Sequence, residues 1–357
     1  MVSVSRSVFH LAEKNAGAPP YSWFLAKRAQ QMRRRQFVKL AGAVIGTTIG
    51  ATSAPRAFAL DANKPIRLIA PFLKGGSTDI VARIIAPALS QVLDHRVEVV
   101  NIAGAGGTIG TRAMINGAPD GNTLCLATVS TTGTGPIVRR VLAYDPLVDL
   151  TPIIKLVDVP GVIAVHPSFP ALDYPGFLAE VRSHPGKYAY ASSGSGGVGH
   201  MGMELFKIRN RLYLVHIPYR SIRPGITDVL AGKVPVIWDN LSSSLPHIQA
   251  GRMRAIGLVG NERSPQLPLL PTFGELGLAN YHATTYFGVL GPRGMKTADI
   301  FTLNGALNAA LQSSEVREGL IRAGGVPIGG APDVLRLQIH AELSKWGEVA
   351  QYTKVKV

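Results

Sequence analysis

Three short segments bring glycines, hydroxyl side chains and the start of a helix together. They are Pro71-Phe72-Leu73-Lys74-Gly75-Gly76-Ser77-Thr78-Asp79, Ser130-Thr131-Thr132-Gly133-Thr134-Gly135 and Ala191-Ser192-Ser193-Gly194-Ser195-Gly196-Gly197-Val198-Gly199-His200. Each follows an apolar run of strand character. Such a junction offers backbone N–H groups, hydroxyl donors and the positive end of a helix dipole, which suits an anionic group. Glycine lets the backbone approach that group closely, but it also serves plain turn geometry. One such loop decides nothing. Three at equivalent strand ends, in two halves of the chain, point to a cleft, because ligands of open α/β sheets lie beyond the carboxyl ends of the strands.

Other chemistries fit less well. Gly194-Ser195-Gly196-Gly197-Val198-Gly199 satisfies G-x-G-x-x-G, but no acid stands about 20 residues on, near Leu214-Val215-His216, to hold a ribose. An exported α/β hydrolase is the alternative reading, with Ser195 or Ser193 as nucleophile and His200 and Asp239 completing a triad. A G-x-S-x-G elbow, however, needs glycine where Ser193 stands. The histidines show no H-x-x-x-H or H-x-H spacing, so no metal site is expected, and no cofactor motif is present. The single cysteine, Cys125, lies in the apolar run Thr123–Ala127 and reads as a buried strand thiol; it leaves no internal disulfide and no CxxC zinc site.

The elements that must position these loops can be read from periodicity. Lys64–Pro71 reads as a strand. Thr78–Leu93 has helical spacing, with Ser77 or Thr78 available as N-cap and Asp79 in the first turn. Val97–Val100 and Leu124–Thr128 are further strands, separated by Gly104-Ala105-Gly106-Gly107 and a short helix. This β-α-β-α-β order predicts an open, doubly wound α/β lobe. The same grammar resumes over 162–258. A Pro- and Gly-rich stretch, 262–280, reads as a crossing segment, followed by strand Tyr286–Leu290 and helices over 298–312, 314–323 and 332–350. The expected organisation is a first lobe from 60–160, a second from 161–280, and completion of the first by 281–357.

Apolar residues make up 46% of the 357 and charged residues 17%, which excludes a disordered chain and supports a packed core. The net charge of +15 suggests an anionic macromolecule until its distribution is seen. Nine of the 37 basic residues but one of the 22 acidic ones precede Leu60, so eight of the fifteen excess charges belong to that segment. There Arg34-Arg35-Gln36-Phe37-Val38-Lys39 is followed by a weakly apolar run, Leu40–Ala54, and by Ala57-Phe58-Ala59. This reads as a twin-arginine type signal peptide cleaved near Ala59, with Met32 a natural start for it. Export to the periplasm argues against a nucleic-acid partner. The remaining positive charge suits attraction of small anions.

The same residues carry a family resemblance. Lys64-Pro65-Ile66-Arg67-Leu68-Ile69, Pro71-Phe72 and Gly75-Gly76-x-x-Asp79-x-x-Ala82-Arg83 resemble the opening of the Bug (TctC-like) receptors, the periplasmic solute-binding proteins of tripartite tricarboxylate transporters. The likeness continues through Gly104-Ala105-Gly106-Gly107-x-Ile109-Gly110, Pro119-Asp120-Gly121, Tyr144-Asp145-Pro146, Ser193-Gly194-x-Gly196, His216-x-Pro218-Tyr219, Asp239-Asn240 and Lys345-Trp346, over nearly all of the chain after residue 60. The resemblance implies a type II periplasmic-binding architecture: two hinged lobes, each an open mixed or parallel sheet flanked by helices, closing on a small carboxylate or related molecule. It also implies a non-catalytic receptor without cofactor, a monomer that delivers its ligand to membrane transporter subunits. By position, the ligand contacts it implies are Phe72, Gly76, Ser77, Thr78 and Asp79, then Thr131 and Thr132, then Ser193, Gly194, Ser195 and His200, with Tyr219 and Asp239 opposite. Asp79 has a second reading as a helix-stabilising first-turn acid, and Asp239 as an orderer of water or a cap for Ser242. Lys74 and the run Tyr219-Arg220-Ser221-Ile222-Arg223 depart from the family pattern. Lys74 and Arg223 are therefore expected to add positive charge at the cleft rim.

Overall fold

Ile66–Ala70 is an apolar run broken only by Arg67, and as β1 it buries its other four side chains, as a strand covered on both faces must. The computed structural model describes residues 64–357 other than Arg140, Leu142 and Asn280; the signal-peptide reading of 1–59 lies outside the described residues. After β1 come α1 (Ser77–Leu93), β2 (Val97–Asn101), α2 (Thr108–Ile115), β3 (Thr123–Thr128), a π turn over Ser130–Thr134, α3 (Gly135–Val138) and β4 (Leu150–Val159). Next are β5 (Gly161–Val165), α4 (Tyr174–Ser183), β6 (Ala189–Ser192), α5 (Val198–Asn210), β7 (Val215–Pro218), α6 (Ile222–Leu230), β8 (Val236–Asn240), α7 (Leu241–Gln249) and β9 (Arg254–Val259). The chain ends with β10 (Thr285–Pro292), α8 (Thr297–Gln312), α9 (Ser314–Arg322), β11 (Val326–Pro327) and α10 (Pro332–Thr353).

The strands form two sheets, ordered β11-β4-β10-β3-β1-β2 and β7-β6-β8-β5-β9. This is a two-lobed mixed α/β architecture. Pro160 alone separates β4 of one sheet from β5 of the other, and the chain returns through residues 260–284 to β10. β1, β2 and β3 are parallel, whereas β10 enters antiparallel between β3 and β4.

β4 has no counterpart in the sequence reading. Pro152, Lys155 and Asp158 interrupt its apolar pattern, and proline argues against an inner strand. Two irregularities in its pairing with β10 accommodate them: Gly288 faces Lys155, Val289 faces Ile154 and Leu290 faces Pro152, so Leu156 and Ile153 are passed over. The Ile153 carbonyl accepts from Asn304 Nδ2 of α8 at 2.8 Å, and the Leu156 carbonyl from the Ile328 N–H at 2.9 Å. The carbonyls passed over at the two irregularities thus find partners outside the ladder.

Two further expectations are corrected. α1 is capped by Gly76, not by Ser77 or Thr78, and no side chain closes its N-terminus; the Ser77 hydroxyl instead bonds Ser243 across the lobes. The second glycine segment is not a loop but the buried π turn. α10 also does more than complete the first lobe. It packs on β4 and the π turn and reaches α5 of the second sheet, with Leu335, Ile339 and Trp346 joining a core that includes Val198 and Met201. Glu342 is buried on this helix, where it accepts from Trp346 Nε1 at 2.7 Å and Gln338 Nε2 at 2.9 Å and pairs with Lys345 Nζ at 2.6 Å.

Gly110 of α2 sits against loop one. A Cβ there would lie 2.5 Å from the Ile102 carbonyl oxygen and 2.8 Å from Pro71 Cα, both backbone atoms. Gly110→Ala should therefore cost about 1–3 kcal/mol of stability. Urea unfolding would show this as a lower midpoint with an unchanged slope.

Candidate functional site

A cleft of about 360 Å3, counted to its open mouth, lies where strand ends of the two sheets face each other. From the first lobe it is lined by Phe72, Gly76, Ser77 and Thr78 after β1, by Thr128 and Ser130 at and after the end of β3, and by Thr285 and Phe287 of β10. β10 contributes its amino end because it runs against β3, so that Phe287 pairs with Thr128. The second lobe supplies Ser193 after β6, Ser221 and Ile222 after β7, and Asp239 and Asn240 at the end of β8. Phe72 is held from behind by Gly107, whose φ of +92° and whose 3.1 Å spacing from a virtual Cβ to the Phe72 ring leave no room for a side chain.

Three helices start in this wall. α1, α6 and α7 have Gly76, Ser221 and Asn240 as N-caps, all in extended backbone and none making a side-chain cap. Among the described helices only α4, away from the cleft, has a side-chain cap, Asp173 accepting from the Gly176 N–H at 2.8 Å; what the three cleft helices share is that their starts are buried. A buried helix end without a cap leaves N–H groups that call for another partner. Three side-chain atoms in the same wall, Ser221 Oγ, Asn240 Oδ1 and Thr285 Oγ1, are buried and have no hydrogen-bond partner. No lysine or arginine lines this cleft among the described residues.

Its one formal charge is Asp239. Burial pushes this carboxyl up to about 6, although the Ser243 and Ser244 hydroxyls, at 2.5 and 2.7 Å, and the Asn240 N–H, at 2.7 Å, favour its ionised form. Ser243 Oγ also meets Ser77 Oγ at 2.9 Å. Since Ser243 donates to Asp239, the Ser77 hydroxyl donates to Ser243, and the chain Ser77–Ser243–Asp239 ties the lobes together.

Of the residues singled out in sequence, the structure brings Phe72, Gly76, Ser77, Thr78, Ser193 and Asp239 together at the cleft. The others lie elsewhere. The Asp79 carboxylate accepts from the Gly75 N–H, Arg83 Nε and Asn101 Nδ2, the longest of these bonds being 3.0 Å. Burial opposes its charge, but the Arg83, Gly75 and Asn101 bonds hold its carboxyl below the ordinary value. The Thr131 and Thr132 hydroxyls turn back onto the Thr128 carbonyl, and Thr132 also meets the Tyr286 hydroxyl. The Tyr219 hydroxyl donates to Asp228 at 2.8 Å. Gly194 has a φ of +133° and its N–H is turned to Ser192 Oγ. Ser195 is half-buried beside Gly106.

The triad of the hydrolase reading is not assembled. His200 Nδ1 accepts from the Gly196 N–H at 3.1 Å, and its ring stacks on His216 at 3.9 Å. Burial keeps the His200 imidazole below its ordinary value and pushes His216 down to about 3. Asp239 is bonded to serines and its neighbouring backbone rather than to His200.

Sequence reasoning missed Thr128, Ser130, Ser221, Ile222, Asn240, Thr285 and Phe287. Ser221 and Asn240 repeat the strand-end, small-polar, helix-start signal without its glycines. Thr285 and Phe287 carry no local signal, since they reach the cleft only through the antiparallel insertion of β10.

Asp239 gives a pH prediction. Its folded value lies above the ordinary 3.8, so the unfolded chain loses this proton first, and the stability tied to the group is lost as pH rises through about 6. Wild type minus Asp239→Asn should fall by on the order of 3 kcal/mol between pH 4 and pH 7.5. Urea melts at the two pH values measure this; a flat difference would contradict a buried, proton-holding Asp239.

The family model of the tripartite tricarboxylate transporter family receptor matches residues 81–354. Protein BugT of Bordetella pertussis is 36% identical over 295 residues, which cover 82% of this chain and 90% of that protein. A solved R. palustris protein with adipate is 31% identical, with a TM-score of 0.80, covering 82% of this chain and 98% of that one. MatC from Rhodopseudomonas palustris, solved with bound malate, is 30% identical with a TM-score of 0.77, covering 80% and 99%. The family match runs from within α1 past the end of α10 and so takes in the second sheet, every strand of the first but β1, and most of the cleft wall; the chain belongs to the tripartite tricarboxylate transporter receptor family.

Proposed function

We propose that the protein is an extracytoplasmic receptor that captures a small organic acid between its lobes and delivers it to the membrane subunits of a tripartite tricarboxylate transporter. The observation that carries this is the set of buried, partnerless polar atoms, Ser221 Oγ, Asn240 Oδ1 and Thr285 Oγ1, in a wall where three uncapped helices begin. The two hydroxyls and the helix-start N–H groups donate hydrogen bonds to an anion without needing a cation, while Asn240 Oδ1, an acceptor, suits a hydroxyl or protonated end of the ligand. The adipate and malate held by two relatives are of the same chemical class.

Asp239 makes the cleft asymmetric. The carboxylate of the ligand belongs at the helix starts, and a hydroxyl, amide or protonated carboxyl fits beside Asp239. The receptor role requires no covalent step, in keeping with the unassembled serine triad. Release from the membrane through cleavage near Ala59, export by the twin-arginine route, and action as a monomer complete the reading.

A thermal-shift panel of mono-, di- and tricarboxylates, aromatic acids and amides tests it. A ligand at a hundred times its Kd should add about 2.7 kcal/mol of stability. Thr285→Val and Ser221→Ala should each weaken binding of the best carboxylate about fivefold, the equivalent of one hydrogen bond near 1 kcal/mol. Binding should also strengthen from pH 7.5 to pH 5.5, as Asp239 takes up its proton. A panel in which amides or amines shift the melt and no carboxylate does would overturn the organic-acid assignment.

A further inference from the structure

A second cavity, about 830 Å3 to its open mouth, lies on the other side of the Ser77–Ser243 contact. Ser77 lines the first cleft, and its bonding partner Ser243 lines the second. The two are therefore neighbours divided by the interlobe hydrogen bond, and their chemistry differs. Lys74, Arg83 and Arg223 line the second cavity, with Asp79 the only acid. Asp79 is already engaged by Arg83, Asn101 and the Gly75 N–H. His247, also in the wall, meets Arg252 Nη2 through Nδ1 at 2.7 Å.

Lys74 and Arg223 have no carboxylate partner among the described residues. Arg223 donates only to the Lys74 carbonyl, at 3.4 Å, and lies over Gly75, where a virtual Cβ would be 3.1 Å from its Cδ. Both cations stand at the unfavourable end of a helix. Arg223 is in the first turn of α6, and Lys74 lies two residues before Gly76, the N-cap of α1. A positive side chain there adds to the positive end of the dipole instead of offsetting it. Two unpaired cations from opposite lobes, facing one cavity at two helix starts, form an arrangement that an anion relieves.

We propose that this cavity is a second, separate binding site for a small dianion, a phosphate-like or dicarboxylate group, which bridges Lys74 of the first lobe and Arg223 of the second. By joining the lobes it favours their closed arrangement, so it and the ligand of the first cleft strengthen each other's binding reciprocally. The site stands apart from the organic-acid reading, since none of its cations lines the first cleft.

Isothermal titration of the mature protein with inorganic phosphate, and separately with succinate, tests this against chloride at matched ionic strength. The variants are Lys74→Gln, Arg223→Gln and, as a first-cleft control, Thr285→Val. Lys74 and Arg223 are exposed, and melting curves of both variants check the fold. Saturable binding of phosphate or succinate, weakened at least tenfold by Lys74→Gln and by Arg223→Gln and unchanged by Thr285→Val, supports the site; whichever anion behaves so identifies the class. Heat that does not saturate, saturation that survives both cation variants, or loss with Thr285→Val alone overturns it. The last result would place the anion in the first cleft and leave the organic-acid reading standing.

Discussion

Burying the start of a helix creates a debt of hydrogen bonds, and this molecule buries three such starts at one seam. Ser77, Ser221 and Leu241 are nearly inaccessible to solvent, yet none of the three helices has a side-chain cap. The topology makes the coincidence unavoidable. β1, β7 and β8 each end at the seam, each leads into a helix, and the two sheets face each other along the edge where those strands end. The partnerless hydroxyls and the lack of a cation in the described lining fit a wall built to donate to something that is not part of the chain.

The interlobe chain Ser77–Ser243–Asp239 shows how closely that wall is tuned. It spans both lobes, yet depends on a carboxyl that burial pushes up to about 6. When Asp239 holds a proton the cleft is uncharged. When it is ionised, three short hydrogen bonds compensate the charge locally. The cleft offers hydrogen-bond polarity rather than positive charge, since no lysine or arginine is in its described lining.

Much of this was legible in the sequence, for identifiable reasons. β1 and α1 are local: an apolar run, then apolar residues on one helical face, so the first loop and its Phe72, Gly76, Ser77 and Thr78 were readable. Val236–Asp239 was readable as a strand, but Asp239 was placed at the cleft only by the family resemblance. β4 was not, because Pro152, Lys155 and Asp158 break its pattern and it is rescued by Asn304 and Ile328, far along the chain. The threonines of the second segment misled for a related reason. Glycines and hydroxyls suggest an open loop, but a π turn placed Thr131 and Thr132 against the Thr128 carbonyl and the Tyr286 hydroxyl. For β4 and for Thr132 alike, a contact distant in sequence decided what local pattern left open.

The positive charge carries the same lesson to a finer scale. At whole-chain level +15 invited a macromolecular partner, and its distribution removed that invitation. The sequence then placed Lys74 and Arg223 at the rim of one cleft, whereas the fold puts them in a neighbouring cavity behind the Ser77–Ser243 contact. The displacement is only a few residues along the chain: Lys74 and Gly75 face one cavity, Gly76 and Ser77 the other. The approach to α1, whose N-cap is Gly76, therefore contributes to both walls. A single loop thus serves two electrostatic environments, one of hydrogen-bonding groups around a titrating carboxyl, one cationic, and the hydrogen bond between them is one of those that join the lobes.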